Sequence, residues 1–163
     1  MLTRRQAIEL WQSDDLVALG FQADALRKQL HPEGVVSYTL ASDEAVMEHV
    51  FALKDNLDAY LDSLDQIRQD ATWQAFRPLV GRGATGVDYV KAIAVSRLYL
   101  QNVPHIQASI RPFGLKVAQL ALRFGANDLE LDGMAEEELR RVIRDAGFSP
   151  KQRDALFRTY AIA

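Results

Sequence analysis

Residues 103–129, VPHIQASIRPFGLKVAQLALRFGANDL, constrain the fold more than any other stretch. VPHIQAS alternates polar and apolar residues as a strand does, Gly114 to Phe124 reads as a helix, and GANDL reads as a short strand. Two strands joined through one helix form a β–α–β unit, expected to hold them parallel with a right-handed crossover. A parallel sheet needs cover on both faces, so the rest of the chain has to supply helices. In the first strand His105, Gln107 and Ser109 share one face, while Ile106 and Ala108 share the other. With 163 residues, 48% of them apolar and 25% charged, the chain is large enough for one domain, residues 1–163, with a real core.

The remaining elements follow from local signals. Thr3 and Gln6 are spaced as a capping box and predict a short helix through Trp11. Ser13 is placed to cap a second helix, in which Leu16, Leu19, Ala23, Leu26 and Leu30 form one apolar stripe. This helical hairpin and the strand VVSYTL make up residues 1–40. From Ser42 onward, Val46, Val50, Leu53, Leu57, Leu61, Leu64 and Ile67 recur every three or four residues. That spacing predicts a single long helix over 43–70, whose stripe is the expected surface of a homodimer. Its other face carries Asp55, Asp58, Asp62 and Asp65, which could hold a hard cation but read more simply as a solvated face. WQAFRPLV is a predicted strand, and a helix follows from Val87 to Leu100 within the 71–129 segment. Two helices are expected over 134–160, with Glu136 to Glu138 at the positive end of the first and Gly147 stopping it. Ser149, Pro150 and Gln152 are spaced to start the second.

Several functions are excluded or weakened by composition. A net charge of -3 gives no electrostatic case for nucleic acid or an anionic membrane surface. No apolar run reaches the ~18 residues of a membrane span, and the charged, amphipathic N-terminus is not a secretory signal, so a cytoplasmic protein is expected. The absence of cysteine excludes disulfides, thiol nucleophiles, thiolate zinc sites and protein-ligated iron–sulfur clusters. Three scattered histidines make a histidine-rich metal site a poor reading. Gly81, Gly83 and Gly86 spell G-x-G-x-x-G between a strand and a helix, but the acid that should hold a ribose about 20 residues later is missing. The motif is therefore read as a strand-to-helix turn. The interval from Asp88 to Asp128 contains no acid between its ends but holds Lys91, Arg97, His105, Arg111, Lys116 and Arg123. These form a local positive field for an anionic ligand, or pair with acids of the terminal helices.

LHPEGVVSYT, ATGVDYVKAIAVSRLYL, NVPHIQAS, LKVAQLALRFGANDL and IRDAGFSPKQRD together resemble the menaquinone-pathway radical SAM enzymes of the cyclic dehypoxanthinyl futalosine synthase (dehypoxanthine futalosine cyclase) family. The likeness covers roughly residues 1–40, 71–129 and 139–156, and is looser over 43–70. It implies a (β/α) barrel in which a C-x-x-x-C-x-x-C loop after the first strand holds a [4Fe–4S] cluster that cleaves S-adenosylmethionine. Here Thr39 and Leu40 run instead into ASDEAV, and the later barrel strands are missing. After GANDL the family's glycine–threonine continuation is replaced by ELDGMAEEEL.

The expected fold is therefore α/β and mostly helical, a partial (β/α) barrel with a small parallel sheet covered by helices. The expected protein is a shortened relative with no cofactor of its own, unable to perform radical SAM chemistry as it stands: a pseudoenzyme. By resemblance His105, Gln107, Ser109, Asn127 and Asp128 belong to the wall that holds nucleoside substrate and S-adenosylmethionine. The alternative for these residues is that they satisfy buried backbone or meet water. For the whole chain the alternatives are an interaction module built on the 43–70 stripe and an acid–base enzyme using carboxylates and His105.

Overall fold

The computed structural model describes residues 2–40, 46–51, 57–70 and 72–159. Its elements in chain order are α1 (Arg4–Gln12), α2 (Leu16–Leu30), β1 (Val35–Tyr38), β2 (Val46–Phe51), α3 (Leu57–Gln69) and β3 (Ala75–Val80). There follow α4 (Gly86–Tyr99), β4 (His105–Ala108), α5 (Leu115–Ala121), β5 (Asp128–Leu129), α6 (Glu136–Asp145) and β6 (Ser149–Gln152). The six strands form one sheet in the order β2-β3-β4-β5-β1-β6, and every neighbouring pair is parallel. The expected strands within 35–39, 73–79, 104–109 and 125–129 thus share one sheet, as the β–α–β pattern required. None of the described helices is long and apolar enough to cross a membrane.

Local signals explain several boundaries. Thr3 accepts from the Gln6 amide while the Gln6 side chain accepts from the Thr3 amide, the reciprocal box expected of that pair. α2 is capped by Asp15, whose carboxylate accepts from the Ala18 amide at 3.0 Å, not by Ser13 as expected. α4 starts from a Thr85–Asp88 capping box, so the helix end after GRGATG is satisfied by its own side chains. The pairing of β3 with β4 runs through Ala75 and Phe76, two residues short of Pro78, which has no N–H to give a ladder.

Two expected helices are corrected. Val46–Phe51 is a strand, paired residue for residue with Ala75–Val80, so the predicted helix over 43–70 does not exist as one element. The valines at 46 and 50 fit a strand as well as a helical stripe, and an open neighbour in β3 decides between them. Residues 43–45 and 52–56, with Ser42, Leu53 and Asp55, lie outside the described residues. In α3 Tyr60, Leu61, Leu64 and Ile67 are buried in the chain's own core, including two leucines expected at a dimer surface. Its acidic face is organised by Arg4, which lies 2.9 Å from Asp62 and from Asp65 and 3.4 Å from Asp58. The second helix expected within 134–160 is likewise not found among the described residues: Ser149–Gln152 is the edge strand β6, in register with β1. Its capping signals are purely local, whereas Val35–Tyr38 offers a full ladder, and an edge strand tolerates Pro150.

The sheet has two unlike faces. Val36, Tyr38, Phe76, Ile106, Ala108 and Leu129 join the buried apolar cluster with Tyr89, Val90, Ile93 and Ala94 of α4. α4 is buried along most of its length because α1, α2 and α5 pack around it as it lies on β3 and β4. Alternation of side chains sends the intervening residues to the opposite face, which is polar.

Candidate functional site

The polar face is built by register. Glu48 of β2 pairs with Arg77 of β3, Gln107 of β4 with Asp128 of β5, Asp128 with Ser37 of β1, and Ser37 with Lys151 of β6. Arg77 joins the two halves by donating from Nη1 to Gln107 Oε1. One polar residue per strand therefore stands in a row across the whole sheet. The sequence alternation singled out Gln107 in this row, and the register brings Asp128 beside it.

Asp128 is the centre of the row and is fully buried. Its Oδ1 accepts from Ser37 Oγ at 2.5 Å and Arg153 Nε at 2.7 Å; its Oδ2 accepts from Gln107 Nε2 and Arg153 Nη2, both at 2.7 Å. Burial pushes this carboxyl group upward, while Arg153, Ser37 and Gln107 pull against it. With donors on both oxygens it is held as the carboxylate, and Arg153 meets it as a two-pronged fork. Toward the strands' ends, Glu48 accepts from Arg77 Nε at 2.8 Å and Arg111 Nη2 at 2.7 Å, and Glu130 accepts from Arg111 Nε at 3.1 Å. Against the upward push of its partial burial, these two arginines hold Glu48 below the ordinary carboxylate range. Ser109 is buried, and its Oγ accepts from the Arg111 amide at 3.1 Å.

His105 and Asn127 form a second group, with Arg97. Asn127 Oδ1 accepts from Arg97 Nη2 at 2.6 Å and from the Ile106 amide at 3.0 Å; its Nδ2 lies 3.0 Å from His105 Nδ1. The amide donates there, so His105 Nδ1 is the acceptor of a neutral imidazole. Burial first, and then the charges of His31, Arg97 and Arg153, push His105 down to about 3. Its ring stacks on His31 at 5.3 Å and on Phe157 at 4.5 Å, and the Arg153 guanidinium lies 3.7 Å from the Phe157 ring centre. His31 is lowered too, by burial, with the hydrogen bond to the Pro104 carbonyl acting the other way. Arg97, fully buried, gives its remaining N–H groups to the Gly125 and Pro104 carbonyls and is pushed down to about 9 by burial and by Arg27. It pins the start of β5 rather than presenting a charge to a ligand.

The five residues expected at the wall thus fall into two adjoining networks: Gln107, Ser109 and Asp128 on the charged row, His105 and Asn127 on the histidine stack. Of the basic residues of the acid-free interval, Arg111 pairs with Glu48 and Glu130 and Arg123 with Asp24, none of these acids lying in a terminal helix, while Lys91 donates to the Trp11 carbonyl. Sequence reading missed Ser37, Arg77, Arg153 and Phe157. The signal for Ser37 and Arg77 was present, since each is the polar residue of an otherwise apolar strand. No local signal points from Arg153 to Asp128, 25 residues earlier.

A family model described as the CofH/MqnC C-terminal region matches residues 66–163. Aminodeoxyfutalosine synthase of Thermus thermophilus is 31% identical over 138 residues, covering 64% of this chain and 37% of that protein. Cyclic dehypoxanthine futalosine synthase of Halalkalibacterium halodurans is 34% identical over 80 residues, covering 40% of this chain and 22% of that protein. The 5-amino-6-(D-ribitylamino)uracil–L-tyrosine 4-hydroxyphenyl transferase of Methanothermobacter thermautotrophicus is 40% identical over 93 residues, covering 47% of this chain and 25% of that protein. The chain therefore spans between about a fifth and two fifths of the length of these relatives.

Proposed function

The chain belongs to the CofH/MqnC C-terminal family, a futalosine-pathway radical SAM family, and from that membership we propose a binding protein for a nucleoside-type ligand without radical chemistry of its own. The family's [4Fe–4S] cluster does not fit the residues present. The chain has no cysteine, and the stretch after β1 offers Thr39 and Leu40 where the resemblance calls for thiolates. Among the described residues no group of three or more His, Asp or Glu side chains is arranged to hold a metal ion.

The observation that carries the binding reading is the in-register polar row itself. Ion pairs in low dielectric are costly to desolvate, and apolar side chains of similar volume serve a purely structural sheet at least as well. Packing alone does not require Asp128, Gln107, Ser37 and Arg77 to be aligned on one face. Such a row supplies donors and acceptors at fixed spacing for the hydroxyl and base groups of a nucleoside, with the His105 ring beside it for stacking.

Titration of the protein with 5′-deoxyadenosine, followed by amide chemical shifts, tests this. Shifts at Gln107, Ser109 and Asn127, lost in Asn127→Ala, are expected. Shifts confined to Gly81–Gly86, or none, refute the reading. In parallel, anaerobic reconstitution with iron and sulfide is expected to give no stoichiometric cluster absorbance and no cleavage of S-adenosylmethionine. Stable binding of about four irons per chain would overturn that part.

A further inference from the structure

The polar face is already occupied, and its occupant is part of the chain. After β6 the backbone makes a tight turn: Asp154 N donates to the Arg158 carbonyl at 3.0 Å, and Arg153 bridges back to Thr159 in antiparallel fashion. The turn delivers a guanidinium fork to Asp128 and an aromatic ring, Phe157, to the face of His105. Phe157 is the one non-glycine with positive φ among the described residues, at 61°, a left-handed conformation that a bulky side chain adopts at a cost. Beyond those contacts the Arg153 amide donates to the Tyr38 carbonyl at 2.7 Å and the Asp154 carboxylate closes the turn, accepting from the Leu156 and Arg158 amides at 2.9 Å, while Leu156, Arg158 and Thr159 are exposed.

Building on the binding reading above, we propose that the strap Arg153–Thr159 is an internal stand-in for the ligand. What replaces it is a flat group carrying two parallel N–H donors on one edge, seated on Asp128 with its plane near His105. The chemistry of the acceptor dictates the class. Asp128 offers two carboxylate oxygens, each already receiving one N–H of a planar fork, with Ser37 and Gln107 completing them. A single ammonium cannot reproduce two parallel bonds; a guanidinium can, and so can the N–H edge of a guanine-type base. The adenine edge, with one donor beside one acceptor, makes only one of the two bonds and is the weaker competitor. In the wild-type protein the strap competes with the ligand for Asp128, so a nucleoside that binds there displaces the Arg153 fork as it enters.

Chemical rescue tests the exchange. Arg153→Ala is expected to melt about 10 °C below wild type, because a buried carboxylate has lost its partner. Methylguanidinium chloride should recover most of that loss saturably. Methylammonium chloride at equal concentration should not, and the Arg153→Ala/Asp128→Asn double variant should not respond. Guanosine stabilising Arg153→Ala more than adenosine does assigns the site to a base edge; rescue by methylguanidinium alone assigns it to guanidinium compounds. No rescue, or equal rescue by methylammonium, overturns the proposal. If Arg153→Ala does not fold, Phe157→Ala keeps the ion pair and loosens the strap; methylguanidinium should then shift the Gln107 and Asp128 amides, and its failure to do so counts equally against the idea. The two readings fail separately. Nucleoside shifts in wild type with the Arg153 Nε–H signal unmoved leave binding standing and sink the strap exchange; rescue without nucleoside shifts does the reverse.

Discussion

Acidification should destabilise this protein through His105 well before most of its carboxylates titrate. The ring is stacked between His31 and Phe157, accepts from Asn127 and faces Arg97 and Arg153, so the fold holds it neutral, with its pKa pushed down to about 3. In the unfolded chain the same imidazole has an ordinary pKa of about 6.5. A base whose folded pKa is depressed contributes its full stability above the unfolded value. That stability drains as pH falls from 6.5 toward 3, because only the unfolded state takes up the proton. Between pH 7.5 and 5.5 the loss from His105 alone is about 1.4 kcal/mol, and His31, lowered for the same reason, adds to it in the same direction. Urea melts at the two pH values should show the midpoint falling by roughly 0.7 M for a slope of about 2 kcal/mol/M. His105→Asn keeps an acceptor for Asn127 and removes the titration, so its midpoint should fall by clearly less. The His105 ring proton should also show no titration in wild type down to pH 5. Parallel pH dependence in wild type and His105→Asn, or a His105 ring titrating near 6.5, would refute the reasoning.

Two further substitutions probe the supports of the site. Gly125 has φ +107° and a Cβ there would lie 2.9 Å from Arg97 Cβ, so Gly125→Ala should cost about 2–4 kcal/mol in urea melts and weaken the Arg97–Asn127 pin. Leu64→Ala should cost about 2–5 kcal/mol, since Leu64 is fully buried in the core; a loss below 1 kcal/mol would place it at a surface instead.

Where neighbouring residues decide the structure, the sequence was readable; where distant ones decide it, local signals misled. The β4–α5–β5 unit followed from alternation and helix composition, and its two strands are parallel neighbours with Gln107 opposite Asp128. α4 and the Thr3 box followed from equally local rules. β2 did not, because Val46 and Val50 satisfy both periods and the ladder to β3 breaks the tie. β6 did not, because Ser149, Pro150 and Gln152 carry the spacing of a helix start, and only the open edge of β1, more than a hundred residues earlier, turns them into a strand. The same division runs through the site. Polar alternation exposed the Gln107 face, but Arg153, read as helical, was invisible as its ionic partner.

These misses share a cause that bears on function. β1, the first strand in the chain, lies between β5 and β6, the last two. Its Ser37, the Asp128 of β5 and the Arg153 that follows β6 meet at one carboxylate, so the contacts that hold the two ends of the chain together are the contacts that line the polar face. Whatever competes for Asp128 therefore competes with the attachment of the C-terminal edge strand. The backbone ladder of β6 to β1 spans four paired residues and ends on the Arg153 amide, which donates to the Tyr38 carbonyl at 2.7 Å; none of these bonds uses the Arg153 side chain. In the exchange proposed above, the Arg153 side chain and the turn after it leave while the strand remains, and the sheet is the floor on which a two-donor ligand would sit.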